Sequence, residues 1–201
     1  MTYLREGITN ISPSDMSKAL EKVRSTNVTP ASTQILLRTI WTKVKEANTR
    51  RTLNHPTLGN DPCSNCETAL ERTMHLFYEC PLAFDLWKRI FDTYNATMSQ
   101  PYNYSEAFPV DLNMDRVIFH KFPDNLPKTA SNDLNDLILM GKHTLYRFKF
   151  GVNSDRHPSL RLTMITLALD LESLTEVRKI NGKTFPDMKK IIDELKRLVG
   201  L

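Results

Sequence analysis

All three cysteines of the 201-residue chain fall within eighteen residues, with a histidine between them. Cys63, Cys66, His75 and Cys80 follow the pattern C-x2-C-x8-H-x4-C. Two thiolates spaced this closely suit a tight turn, where both sulfurs reach one ion at about 2.3 Å. Thr68 and Glu71 have capping-box spacing, which predicts a short helix through about Tyr78 that carries His75. Cys80 then lies just past the helix end, before Pro81. Three thiolates and an imidazole form the soft-to-borderline set that tetrahedral Zn2+ prefers. With four protein ligands no position is left for a reacting water, so one structural Zn2+ is predicted and no catalytic metal. A disulfide would leave an odd thiol and is disfavoured inside a cell.

Other chemistry has weaker support. Gly182-Lys183-Thr184 has the end of a phosphate-loop pattern, but Val177 stands where its first glycine belongs. Asp193-Glu194 falls on the polar face of an amphipathic segment and reads as solvated surface. His55, His120, His143 and His157 lack a recognisable nucleophile partner. No catalytic residue is assigned, and the chain is read as a non-enzyme. Basic residues are the better binding candidates. Arg38, Lys43, Lys45, Arg50 and Arg51 precede the knuckle with only Glu46 among them. Lys142, Tyr146 and Lys149 recur at helical spacing with Arg147 beside them, giving one positive face with an aromatic. Such faces attract phosphates, and a tyrosine can stack on an unpaired base. The nucleic-acid-binding candidates are therefore Lys43, Lys45, Arg50, Arg51, Lys142, Tyr146, Arg147 and Lys149.

The stretch from about Arg50 to Trp87 resembles the zinc-binding module downstream of the reverse transcriptase in LINE-type non-LTR retrotransposons. The residues that carry the likeness are Arg50-Arg51-Thr52-Leu53, the pair Cys63 and Cys66, the run from Glu71 through His75-Leu76-Phe77-Tyr78-Glu79-Cys80-Pro81, and Trp87. A looser similarity to the helical tail of these polyproteins covers Asn135 to Tyr146 and His157 to Leu160, so that residues 31–200 are touched in all. The resemblance implies that Cys63, Cys66, His75 and Cys80 hold zinc. It also implies contact with template RNA or target DNA, and a reverse transcriptase polypeptide as partner, in cis or in trans. Polymerase activity does not carry over: that centre needs paired aspartates for two metal ions, and no Asp-Asp pair occurs here. The chain reads as the carboxyl-terminal piece of such a polyprotein. The alternative is a zinc-stapled structural or protein-interaction module without nucleic-acid affinity.

The elements that must position these residues read as helices. Ser12-Pro13-Ser14-Asp15 opens one, with Met16, Ala19, Leu20 and Val23 inward. Thr29-Pro30 opens a second, with Leu36, Leu37, Ile40, Trp41 and Val44 on one stripe. Residues 98–128 contain four prolines and read as a connection, within which Val110, Leu112 and Met114 alternate and Val117-Ile118-Phe119 allow a short strand. Thr129 or Ser131 caps a helix to about Phe150, with Leu134, Leu137, Ile138, Leu145 and Phe148 inward. Pro158 starts another, with Leu160, Met164, Leu167, Leu171 and Leu174 inward, ended by Gly182. Thr184 and Asp187 cap the last, whose apolar face is Met188, Ile191, Ile192, Leu195, Leu198 and Val199. The expected fold is mostly α: a small helical domain built around a CCHC zinc knuckle, then an α-helical carboxyl-terminal lobe. Its divisions are an amino-terminal helical segment (1–28), a basic helix with the knuckle (29–97), a connection (98–128) and a three-helix lobe (129–201). In this arrangement zinc fixes the knuckle against the helix containing Phe84, Trp87 and Phe91.

Composition agrees with a globular chain: 40% hydrophobic and 25% charged residues exclude wholesale disorder. Six glycines argue against several phosphate loops. Residues 1–60 carry nine Lys/Arg against four Asp/Glu, residues 61–127 five against ten, and residues 128–201 thirteen against nine. Two basic segments thus flank an acidic middle, and the net charge of +4 permits a polyanion partner without demanding one. No apolar run approaches the ~18 residues of a membrane span, and the start does not read as a secretory signal. An intracellular location, nuclear or cytoplasmic, is expected, and sequons at Asn10, Asn27, Asn95 and Asn103 should stay unmodified.

Overall fold

A computed structural model describes residues 63, 65–69, 74–98, 110–124, 126–150, 158–180 and 186–201. The two amino-terminal helices and Lys43, Lys45, Arg50, Arg51, Glu71, Gly182 and Thr184 lie outside the described residues. The described chain is helical, with no strand in it. A π-helical turn, His75–Glu79, precedes α1 (Pro81–Met98), α2 (Met114–Phe119), α3 (Lys128–Phe150), α4 (Leu160–Ile180) and α5 (Pro186–Val199). No helix of the described residues is long and apolar enough to cross a membrane.

Helix α1 opens on Pro81, whose fixed φ suits a first helical position. Its buried apolar residues Ala83, Leu86, Trp87, Ile90, Phe91 and Tyr94 recur every three or four positions and form one stripe. That stripe meets α3, α4 and α5, so the packing runs across the expected boundary between knuckle module and carboxyl-terminal lobe. One continuous core extends from Cys63 to Val199. Helices α1 and α3 approach so closely at Gly141 that a Cβ there would lie 2.5 Å from a Trp87 ring carbon. Arg147 on α3 pairs with Asp170 on α4 at 2.7 Å, and Lys196 on α5 pairs with Glu172 on α4 at 2.7 Å. The Arg161 guanidinium donates to the Val199 carbonyl, closing the end of α5.

The structure departs from the sequence-based expectations at several points. The segment read as a possible strand forms α2 instead, because the Asn113 side chain accepts from the Arg116 N–H and caps a helical turn. The apolar residues Val117 and Ile118 are then buried from a helix, which needs no partner strand. Helix α3 begins at Lys128, directly after Pro127, which places Thr129 and Ser131 inside its first turn, not at its cap. Helix α4 starts at Leu160, not at Pro158, and Ser159 caps it: its hydroxyl accepts from the Leu162 N–H at 3.1 Å. Leu198 is 40% exposed, at the edge of the buried α5 stripe of Met188, Ile191, Ile192, Leu195 and Val199.

Candidate metal centre

The knuckle is a turn closed on Cys63. Its carbonyl accepts from the N–H groups of Cys66 at 3.2 Å and Glu67 at 2.7 Å, while its own N–H donates to the Ala69 carbonyl. Glu67 takes the left-handed conformation (φ 55°) that so sharp a reversal requires. Thr68 lies on this turn, and its hydroxyl donates to Cys66 Sγ at 3.1 Å. The expected capping box with Glu71 lies outside the described residues.

Of the other two donors, His75 opens the π-helical turn and Cys80 caps its end, and the turn explains how they meet. On an α-helix, at about 100° per residue, positions five apart point about 140° away from each other. Closing the ring from residue i to i+5 brings the later residue back over the earlier one. Here the Cys80 N–H donates to the His75 carbonyl at 2.7 Å, and the spacing H-x4-C becomes a same-side pair. The turn is clamped from below by the Trp87 indole N–H, which donates to the Phe77 carbonyl at 2.6 Å.

The four ligand atoms of Cys63, Cys66, His75 and Cys80 lie within 4.8 Å of one another. Cys63 Sγ and Cys80 Sγ are 4.0 Å apart, and Cys66 Sγ is 3.2 Å from His75 Nε2. A tetrahedron with metal–sulfur bonds of ~2.3 Å and a metal–nitrogen bond of ~2.0 Å has edges of roughly 3.5 to 3.8 Å. The donor set therefore fits one tetrahedral ion in chemistry and in size. The three cysteines are free thiols, and a sulfur separation near 4 Å is about twice a disulfide bond.

Burial treats the sulfurs unequally. It pushes the Cys80 thiol up to about 12 and raises that of Cys63. Cys66 is also raised by burial, but the Thr68 hydroxyl and backbone, with the His75 ring, outweigh this and bring it down to about 6. Cys66 is thus the readiest thiolate of the three. A cation bound here would displace the protons of the buried pair, so its affinity must fall in acid.

The remaining sequence-based site residues separate. Trp87 and Phe91 are buried under the turn as expected, but Phe84 is 44% exposed and stacks edge-on against Tyr78. Lys142 corrects the expected positive face on α3: it is 0% exposed, and its ammonium donates to the Ile118 carbonyl at 3.1 Å. Its position on α3 faces α2, so the side chain runs into the core and cannot meet a phosphate. Arg147 is exposed but ion-paired with Asp170, and Tyr146 is half-buried. The Lys149 side chain lies outside the described ones. Sequence reasoning missed the contact of Lys142 with His120, whose other ring nitrogen meets Asn135. The seven-residue interval from Asn135 to Lys142, which puts both on one helical face, was its available signal. No protein family, no curated protein and no solved structure matches this chain.

Proposed function

We propose that the chain is a non-catalytic module stapled by one structural Zn2+ on Cys63, Cys66, His75 and Cys80, and that its partner is RNA or DNA. The observation that carries the zinc reading is the convergence of all four donor atoms within 4.8 Å. Bound there, zinc would supply cross-linking alone, joining a turn to a helix; four protein ligands saturate a tetrahedral site. Nucleic acid as partner rests on the resemblance to the retrotransposon module and on the run of Lys43, Lys45, Arg50 and Arg51 just before the knuckle. Lys142 leaves that surface, and Arg147 is already neutralised by Asp170.

Metal analysis of the purified chain tests the first part, with one zinc per chain expected and none in Cys63→Ser. Binding to RNA and DNA across a salt series tests the second. Affinity should fall steeply with salt, and charge reversal at Lys45, Arg50 and Arg51 should weaken it with the melting temperature unchanged. Binding that ignores both salt and these substitutions refutes the nucleic-acid reading. A second reading has its own observation: Leu162, Leu169, Val177 and Ile180 on α4 are exposed apolar residues. They favour a protein-interaction role, which predicts no nucleic-acid affinity and loss of association on Leu169→Asp.

A further inference from the structure

A second concentration of buried polar chemistry lies where the end of α2 meets α3. Lys142 Nζ is 3.1 Å from the Ile118 carbonyl oxygen and 3.1 Å from His120 Nε2. The other ring nitrogen, His120 Nδ1, faces the side-chain oxygen of Asn135. Asn135 and Lys142 are close to two turns apart on α3, so the imidazole bridges two positions of one helical face. All three side chains are buried. His120 also ends α2 in the left-handed conformation (φ 54°), with its N–H donating to the Arg116 carbonyl. A non-glycine residue held there needs support from its surroundings.

The hydrogens in this network are fixed by its acceptors. Asn135 Oδ1 only accepts, so Nδ1 carries the ring hydrogen. A neutral imidazole has one such hydrogen, which leaves Nε2 as an acceptor for Lys142. The Ile118 carbonyl takes a second hydrogen from the same amine. If the ring gains a proton, Nε2 turns into a donor, and the contact survives only when Lys142 offers a lone pair. Two protonated partners would place two cationic donors 3.1 Å apart in a buried site.

We propose that Lys142 and His120 hold at most one positive charge between them and latch α2 onto α3, and that uptake of a second proton breaks the contact and frees α2. Burial brings the pKa of the Lys142 ammonium down to about 7. Other titratable groups lie on the surrounding elements. Asp133 of α3 acts on the Tyr94 hydroxyl of α1, and Asp170 of α4 on His143. Asp136 is buried on α3 itself, and His75 of the π-helical turn contacts Cys66. Since α2 packs against that turn, release of the latch would uncover one wall of the cysteine cluster. The latch stands independently of whether the cluster binds zinc.

Nuclear magnetic resonance of the full chain with isotope-labelled histidine reads the tautomer directly. At neutral pH, His120 should carry its hydrogen on Nδ1, against the preference of free imidazole for Nε2. Hydrogen exchange at about pH 7 and about pH 5, either side of a free imidazole, then reads the latch. After correction for intrinsic exchange, opening of the α2 amides should rise about tenfold or more in acid, while those of α4 and α5 stay protected. In Lys142→Met the acid effect on α2 should disappear. Metal content is measured in the same samples, because acid also releases metal from thiolates. Opening of α2 with metal content unchanged supports the latch. An Nε2–H tautomer at neutral pH, or opening of α2 only in step with metal loss, overturns it. Should Lys142→Met fail to fold, the tautomer and exchange of the unmodified chain still decide.

Discussion

Gly141→Ala puts one methyl group at the crossing of α1 and α3. The new Cβ would stand 2.5 and 2.6 Å from two carbons of the Trp87 ring and 3.2 Å from Ile90 Cδ1. Ordinary carbon contacts lie at ~3.5 to 4.0 Å, so the ring must withdraw by about 1 Å. It has nowhere to withdraw to. Trp87 is fully buried, and its indole N–H is fastened to the Phe77 carbonyl. Overpacking of this kind costs about 1–3 kcal/mol, and pulling the indole off its acceptor would add about 1–3 kcal/mol. Against this stands the helix preference of alanine over glycine, about 1 kcal/mol. The net expectation is a loss of ~1–5 kcal/mol, where a calculation from helix propensity alone gives a gain. Urea unfolding followed by far-ultraviolet circular dichroism measures it as a lower midpoint at unchanged slope. Trp87→Phe removes the part of the indole that the methyl meets, so in that background the same glycine substitution should become nearly neutral. A midpoint that stays put or rises in the native background refutes the close approach, and equal costs in both backgrounds refute Trp87 as its cause.

Three other perturbations follow from named contacts. Lys142 titrates at about 7 in the folded chain against 10.5 for the free side chain, so the folded state binds fewer protons across that window. Stability should therefore climb as pH rises from about 7 toward 10.5, by at most ~1.4 kcal/mol per pH unit; denaturant midpoints at several pH values should show this slope, and Lys142→Met should flatten it. Asn95 holds Val110 by both backbone groups, at 3.0 and 3.2 Å, so Asn95→Ala should cost about 1–3 kcal/mol; an unchanged melting temperature would show that the clamp does not matter. Removal of zinc by a chelator should unfold the knuckle and the π-helical turn, because the ~10–16 kcal/mol of a structural zinc rivals the ~5–15 kcal/mol stability of a whole domain. Trp87 should become exposed to solvent in that experiment while α3, α4 and α5, which pack on one another, keep most of the helical dichroism; unchanged fluorescence after chelation counts against a structural metal.

The helices were legible where a single apolar stripe decided them. The buried residues of α4 (Met164, Leu167, Leu171 and Leu174) and of α5 (Met188, Ile191, Ile192, Leu195 and Val199) fall where periodicity alone puts them. The short α2 was not legible, since six residues carry less than two turns of pattern, and Val110, Leu112 and Met114 alternate by chance as a strand would. Its identity depends on the Asn113 cap, a local contact that competes with extended structure. Lys142 was misread for a related reason. Helical spacing places it correctly beside Tyr146, but spacing does not say whether a face meets solvent or another helix. A lysine reads as solvated by default, and the Ile118 carbonyl and His120, both brought by α2, help make the buried position tolerable.

The metal ligands were legible as residue types, and their meeting was not. C-x2-C is a local statement, because a turn of four residues brings its ends together whatever surrounds it. H-x4-C is not local in the same sense: on an α-helix the interval sends His75 and Cys80 to different sides. Cys80 does lie just past the helix end, as its C-cap, and the widened turn brings it back to His75, with the Cys80 N–H reaching back five residues to the His75 carbonyl. A widened turn is less favourable than an α-turn and needs compensation from its surroundings. Trp87 supplies part of it through the Phe77 carbonyl, and Leu76 and Phe77 supply more by entering the common core. The tryptophan two turns downstream is therefore bound up with the coordination geometry although it offers no ligand. Gly141, which alone leaves room for its ring, belongs to the same support. A reading confined to cysteines and histidines finds the donors; it does not find the indole and the glycine that hold the donors at metal-binding distance.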